Sequence, residues 1–169
     1  MARRAKRNYV NNRDFLDALI QYKADCTAAE DTGDELPRVP DYIGTCIYQI
    51  ATRLATKPNF SGYTYKEDMI SDGIENCLLY IRNFNPDKSQ NPFAYFTQII
   101  WYAFLRRIAK EKRQMYIRFK SSQSMLASGG TYTGEEVDLY LNTSADYMNS
   151  FVQDYEDKEA QKKEKKKWK

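Results

Sequence analysis

Apolar residues recur every three or four positions along four stretches of the chain, which is the spacing of helices that bury one face. The first predicted helix begins at Asn11 or Asn12, whose side chains can cap it, and ends near Thr27. Residues 28–38 are acidic and contain Gly and Pro, so they are predicted to be a linker. A second helix is predicted from residues 40–41 until Pro58 prevents its continuation.

The third predicted helix begins at a capping box formed by Thr64 and Glu67 and ends near Asn83. Its predicted buried stripe consists of Ile70, Ile74, Cys77, Leu78 and Ile81. Asp68, Asp72 and Glu75 lie roughly on the opposite face, since two residues correspond to about 200° of helix. Such carboxylates are usually only a solvated face, and the alternative is a docking surface for a basic partner helix.

The fourth predicted helix begins at Asn91 and Pro92 and reaches about Arg118, because no Gly or Pro follows until Gly129. Its predicted core stripe is Phe93, Phe96, Ile100, Phe104 and Ile108. Other aromatic residues project elsewhere, and a basic half follows with Arg106, Arg107, Lys110, Lys112 and Arg113. Aromatic rings interleaved with cations are suited to unpaired nucleic acid, and the alternative is a buried central helix with a solvated basic end.

No alternating stretch is long enough for a sheet, so the sequence predicts an all-α fold. Its predicted organisation is a basic arm (1–10), a small helical domain (11–120) and a C-terminal region (121–169). The C-terminal region is expected to contain a polar loop, an acidic-aromatic segment and a lysine-rich tail, and both tails are predicted to be flexible.

Composition makes most enzyme classes improbable candidates, because the chain has no histidine, no paired cysteine motif and no phosphate-cradling glycine loop. We therefore expect no catalytic residues, no metal site and no cofactor. The odd, sparse cysteines are expected to be apolar core residues in a reducing cytoplasm. No stretch is apolar enough to span a bilayer, and no secretory signal is expected.

The net charge of +3 conceals blocks of alternating sign. Residues 1–7 carry +4, residues 8–92 carry −5 and residues 93–120 carry +6. Residues 134–160 carry −7, and residues 162–169 carry +5. Segregation of this kind predicts separate faces for separate partners, or tails that fold back on segments of opposite charge.

Several motifs together resemble the central region of bacterial sigma factors. That family has approximately the pattern D-L-[IV]-Q-E-G, an apolar helix, K-F-[DE]-P and then F-[SR]-T-Y before a long DNA-reading helix. The matching residues here lie at 68–73, 83–87, 93–96 and 106–108. Within the family the chain is most similar to the late-transcription sigma factors of T-even type bacteriophages, through residues 8–12, 59–64, 69–75 and 91–95.

The resemblance implies that the third helix docks on the coiled coil of the largest RNA polymerase subunit. The residues that it assigns to this surface, together with the neighbouring Glu75, are Asp68, Ile70, Ser71, Asp72, Gly73 and Glu75. Ser71 stands where the family has glutamine.

The resemblance also implies that the fourth helix reads the non-template strand of promoter DNA. Phe96 takes the place of the aromatic residue that stacks on a flipped base, and Ile99 and Ile100 replace the usual tryptophan pair. Which ring wedges the duplex fork stays open between Trp101 and Tyr102. The complete expected DNA-binding set is Tyr95, Phe96, Ile99, Ile100, Trp101, Tyr102, Arg106, Arg107, Lys110 and Arg113.

The expected function is that of a phage-encoded minimal sigma factor, monomeric when free, in the cytoplasm of an infected bacterium. It would direct host core polymerase to an A/T-rich, TATA-like late promoter and help to melt it. A sliding clamp or co-activator is a further candidate partner, although residues 165–169 lack the acidic-hydrophobic character that such factors use for the clamp. The alternative functions are a non-specific single-stranded nucleic-acid-binding protein and a structural helical protein.

Overall fold

The computed structural model describes residues 9–127 and 135–167, and their regular secondary structure is entirely helical. These residues form six α-helices: α1 (Asn12–Thr32), α2 (Asp41–Ala55), α3 (Pro58–Ser61), α4 (Lys66–Tyr80), α5 (Pro92–Ala127) and α6 (Glu135–Lys167), with a 3-10 turn at Ile81–Asn83. The predicted all-α class is confirmed. Within the described residues, no helix has both the length and the apolar character needed to cross a membrane.

The chain divides into two compact units, Met1–Ile108 and Ala109–Lys169. In the first unit, α2 packs against α1 and α4, and the first half of α5 completes the core. Its largest fully buried side chains are aromatic and pair across helices: the ring of Phe15 lies 5.4 Å from Phe96, and Phe60 lies 5.1 Å from Phe104. The predicted core stripe of the fourth helix is confirmed except at Phe93, which is half-buried.

The N-terminus of α5 is fixed by two asparagine side chains. The Oδ1 atom of Asn91 accepts a hydrogen bond from the Ala94 N–H at 3.0 Å, as the sequence predicts. Asn12 of α1 adds a second cap, because its Oδ1 accepts the Phe93 N–H at 3.1 Å. The start of α5 is therefore attached to the start of α1.

Helix α1 is longer than predicted, since it runs to Thr32 rather than to about Thr27. It ends at Gly33, which adopts the left-handed conformation at φ 75° and donates its N–H to the carbonyl of Glu30. Glu30 also pairs with Arg82, which joins the last turn of α1 to the 3-10 turn. The acidic composition of residues 28–32 favoured the wrong interpretation, because α1 ends at its glycine cap.

Helix α4 differs from the prediction in how it begins and in which of its residues are buried. It begins at Lys66 with Tyr65 as N-cap residue and no side-chain cap, so the predicted capping box is wrong. Leu78, predicted to be buried, is 42% exposed, whereas Met69 is fully buried. Met69 shares a face with Gly73 and Cys77, and Leu78 is rotated about 100° from Cys77.

All three cysteines, Cys26, Cys46 and Cys77, are unpaired thiols inside the core, as predicted. Burial raises the pKa of the Cys77 thiol to about 12. At physiological pH this sulfur is therefore a protonated, apolar packing group.

The predicted basic arm (1–10) falls mainly outside the described residues, which begin at Tyr9. Val10 is buried, and the ring of Tyr9 meets Phe93 edge-on at 5.7 Å. The guanidinium of Arg53 lies 4.3 Å from the centre of the Tyr9 ring, a cation–π contact. The helical domain therefore includes the last two residues of the segment that the sequence assigned to the arm.

In the second unit, helix occupies residues 121–127 and 135–167, which the sequence assigned to the start of a polar loop, an acidic-aromatic segment and a lysine-rich tail. Helix α5 continues nine residues beyond Arg118, to Ala127, and α6 occupies Glu135–Lys167. Residues 128–134 and 168–169 lie outside the described residues. Phe119 contacts Phe151, and the Gln123 side chain donates a hydrogen bond to the Asn149 side chain. Residue numbers therefore increase along α5 while those of the contacting residues decrease along α6. The two segments form an antiparallel hairpin.

Candidate functional site

Two of the segments that carry the family resemblance, residues 68–73 on α4 and 106–108 on α5, belong to helices that pack closely on each other. Gly73 is the contact point: a Cβ added there would lie 3.0 Å from Ile100 Cγ2 and 3.1 Å from Phe104 Cε1. Both neighbours are fully buried. The glycine therefore permits a close approach of the two helices that a side chain would obstruct.

An ion pair joins the same helices beside this contact. Arg107 donates from Nε to Asp72 Oδ2 at 2.6 Å and from Nη2 to Asp72 Oδ1 at 2.7 Å. The two side chains are only 18% and 28% exposed, so this is a bidentate and well-shielded pair. One turn away, Arg106 Nη2 donates to Asn76 Oδ1 at 2.6 Å.

Because of this packing, some residues of the expected polymerase surface are exposed and others are buried. Asp68, Ser71 and Glu75 are exposed on α4 and form what we call the α4 acidic face. Ile70 and Gly73 are buried, so they lie in the core and not on this exposed face. Asp72 is occupied by Arg107.

Two residues of the expected DNA surface are also buried. Phe96 and Ile100 have no exposed area, and the Phe96 ring packs among Phe15, Phe84 and Tyr95. A base could stack on Phe96 only if this cluster opened. The family-derived stacking role of Phe96 is thus not supported, because its position on the helix faces the core.

Three further residues of the expected DNA set are half-buried. The Tyr95 hydroxyl donates to the Tyr80 carbonyl at 3.1 Å, and burial raises the pKa of this tyrosine. Trp101 packs edge-on against Phe60 at 4.8 Å, and Ile99 packs against the rim of the core. Each of them presents only part of its surface to a ligand.

A continuous exposed strip remains on the first half of α5. Gln98, Tyr102 and Leu105 follow one another at helical spacing, and we call them the α5 ridge. Tyr102 is 52% exposed and Leu105 is 43% exposed. Gln98 and Leu105 were missed as candidate site residues, although their spacing from Tyr102 was the available signal. Of the two rings left open at the duplex fork, Tyr102 is the accessible one.

The remaining cations of the expected set differ in their surroundings. Arg106 is exposed although bonded to Asn76, and Arg107 is neutralised by Asp72. Lys110 and Arg113 are exposed on the part of α5 that belongs to the second unit. Within the part of the chain that the structure describes, no three cysteine or carboxylate side chains are grouped to hold a metal ion.

Compared with models of known protein families and with curated protein sequences, the chain shows no significant match to either. The interpretation of these surfaces therefore depends on the residues and their geometry.

Proposed function

We propose that this chain is a phage-encoded minimal sigma factor that binds host core RNA polymerase and directs it to an A/T-rich late promoter element. The observation that carries the proposal is the α4–α5 junction. Asp72 and Gly73 attach α4 to α5, and the attached pair presents the α4 acidic face on one helix and the α5 ridge, with Tyr102 at its centre, on the other.

The α4 acidic face is the proposed polymerase contact. Its carboxylates, Asp68 and Glu75, suit the basic side chains of a coiled coil, and Ser71 between them adds a hydroxyl. Because Ile70 and Gly73 are held in the core, the face stands on a rigid support, which lowers the entropy cost of docking.

The α5 ridge is the proposed contact for the melted promoter strand. Flipping a base costs a few kcal/mol, and stacking on an exposed ring returns about 1–3 kcal/mol per base. Tyr102 is the ring that supplies this, with Trp101 partly accessible beside it. The protein would perform no chemistry itself, since the polymerase holds the active site.

Promoter-directed transcription is the direct test. Core polymerase from the host is incubated with a template that carries a TATA-like late promoter, with and without this protein. We expect a transcript from that promoter only when the protein is present. Absence of such a transcript with the cognate core enzyme would contradict the proposal.

A charge reversal tests the α4 acidic face. Asp68→Lys should prevent co-purification with core polymerase, because it places a cation opposite basic side chains. Asp17→Lys is the matched control, an exposed carboxylate on α1 with the same change of charge. Asp72→Lys is unsuitable, since it would leave Arg107 facing a second cation. Equal retention of both variants would indicate that the face is only solvated.

The rival function is non-specific binding of single-stranded nucleic acid. It shares the α5 ridge but has no use for an acidic docking face. Equal affinity for every single-stranded sequence, together with no recruitment of polymerase, would favour the rival.

A further inference from the structure

The C-terminal lysine block has no role in the proposed function, and the fold gives its described part a specific position. The antiparallel hairpin brings the end of α6 beside the beginning of the second unit, so two basic blocks far apart in sequence become neighbours. An open groove of about 1140 Å³ lies between them. Cations enter it from both helices, Lys110 and Arg113 from α5 and Lys163 from α6.

The carboxylates of this groove are already engaged. Glu156 accepts hydrogen bonds from Lys120 Nζ and from the Tyr116 hydroxyl, both at 2.8 Å. Glu159 accepts one from Lys162 Nζ at 2.7 Å. Among the described residues, Lys110, Arg113 and Lys163 take part in none of the ion pairs.

Placing unpaired cations of two helices around one groove costs electrostatic free energy, which a bound polyanion relieves. The groove is slightly larger than the roughly 300–1,000 Å³ of a small-molecule pocket and is open to solvent, so it can admit part of an extended chain. Two stacked tyrosines, Tyr116 and Tyr155, with ring centres 4.6 Å apart, also line it. Rings beside cations are typical of sites for a single nucleic-acid strand.

We infer that this groove, which we call the hairpin groove, binds the phosphate backbone of a single DNA strand, with Lys163 of α6 forming the wall opposite Lys110 and Arg113. The inference deepens the proposed function, and its choice of DNA rests on that proposal. Its new element is that α6 is a DNA-contacting helix, although acidic residues outnumber basic ones along it.

The test compares two double variants that remove the same charge from the same two helices. Lys110→Gln with Lys163→Gln removes one cation from each wall of the groove. Lys112→Gln with Lys158→Gln removes one exposed cation from each helix outside the groove. Binding of the full chain to a fluorescein-labelled single-stranded oligonucleotide is followed by anisotropy across a salt series.

The groove variant should lose two phosphate contacts. Each contact contributes about 0.7 to the slope of log K against log salt for a single strand, so binding should weaken roughly 25-fold near 0.1 M salt. The control variant should keep the wild-type slope. Both variants should keep the wild-type circular dichroism spectrum and thermal transition, since the substituted side chains are exposed and unpaired.

Equal weakening of the two variants, or no weakening of either, would overturn the inference. Tighter binding of the matching duplex that weakens equally in the groove variant would also overturn it. So would binding to phosphatidylserine vesicles that weakens in the groove variant, if the oligonucleotide is not bound at all. Because this assay contains no polymerase, its failure is distinguishable from failure of promoter-directed transcription.

Discussion

Two residues of the sigma-like motif, Asp72 and Gly73, point inward and organise the α4–α5 junction. The glycine lets Ile100 and Phe104 approach α4, and the carboxylate fixes Arg107 through two hydrogen bonds. A motif that the resemblance assigns to docking therefore includes residues whose local contacts are structural. Their effect on polymerase binding would be indirect, through the position of Asp68, Ser71 and Glu75.

Gly73→Ala should destabilise the first unit, although alanine is the better helix former. The helix gains up to about 1 kcal/mol from the replacement, while overpacking against two buried side chains costs about 1–3 kcal/mol. We expect a net loss of about 1 kcal/mol in the free energy of unfolding, measured by urea titration.

Gly44→Ala is the control for this substitution. Gly44 also lies inside a helix, α2, but nothing lies within 4 Å of an added Cβ. The same change should therefore stabilise the protein by up to about 1 kcal/mol. Two changes of the same sign would show that crowding at Gly73 does not govern its effect.

The hairpin is held by an aromatic seam along α5 and α6. Tyr116 stacks on Tyr155, and Phe119 meets Phe151 edge-on at 5.4 Å. Glu156 adds a polar link, since it accepts from both Lys120 and Tyr116. These contacts explain why an acidic, lysine-ended segment forms a helix here: every fourth residue of α6 from Tyr147 to Tyr155 is aromatic and joins the seam.

The polar link should make the hairpin sensitive to acid. Hydrogen bonds from Lys120 and Tyr116 lower the pKa of the Glu156 carboxyl. A carboxyl with a lowered pKa in the folded state stabilises that state above its ordinary pKa, and the contribution is lost as the pH falls through the lowered value. Thermal melts at decreasing pH should therefore show an acid loss of stability that is smaller in Glu156→Gln.

Asp154→Asn is the control for this pH dependence, because Asp154 is exposed on the same helix and does not join the link. Its acid profile should match that of the wild type. Identical profiles for Glu156→Gln and the wild type would mean that the link contributes nothing measurable.

The spacing of apolar residues predicts the buried face of a helix well, and the positions of Gly and Pro predict its length. The absence of Gly and Pro after Pro92 correctly predicted a long helix, and the spacing of Phe96, Ile100 and Phe104 correctly predicted its buried face. The predicted secondary structure was wrong where it was based on residue composition instead of on the spacing of apolar residues. Residues 28–32 and the lysines of α6 were interpreted as linker and tail, yet both stretches are helical.

The candidate site was less predictable than the fold, because periodicity assigns a residue to a face and not to a partner. Asp72 and Arg107 are separated by 35 positions, and no local pattern indicates that they bond. Phe96 was expected to meet DNA by its place in a motif, while its place in the helical stripe correctly predicted burial. The sequence assigned no role to the C-terminal lysine block that contains Lys163, because the α5 residues that lie near Lys163 are known only from the fold.

Across the whole molecule, the small net charge of +3 is distributed among surfaces with different proposed partners. The first unit carries the α4 acidic face and the α5 ridge, and the second carries the hairpin groove. Surfaces built on separate residues should be separable by mutation. A variant that loses one proposed partner should keep the others.

Tyr102→Ala should separate promoter opening from polymerase binding. Loss of one stacked base at about 1–3 kcal/mol reduces open complexes roughly 5- to 150-fold, measured by permanganate reactivity of promoter thymines. Co-purification with core polymerase should be unchanged. Stability should change by less than about 0.5 kcal/mol, since the side chain is 52% exposed.

Tyr48→Ala, which removes a similarly exposed ring from α2, is the control and should leave promoter opening intact. An equal loss with both variants would point to a general effect of the surface rather than to the α5 ridge.

The crowding at Gly73 also limits how this sequence can change by inheritance. Every single-base change in a glycine codon that alters the amino acid adds at least a Cβ, and at this position the Cβ meets Ile100 and Phe104. Replacement of Gly73 is therefore disfavoured, and a smaller residue at a neighbouring position would remove most of its cost. Among divergent descendants of this chain, a replaced glycine at position 73 should be accompanied by a smaller residue at position 100 or 104.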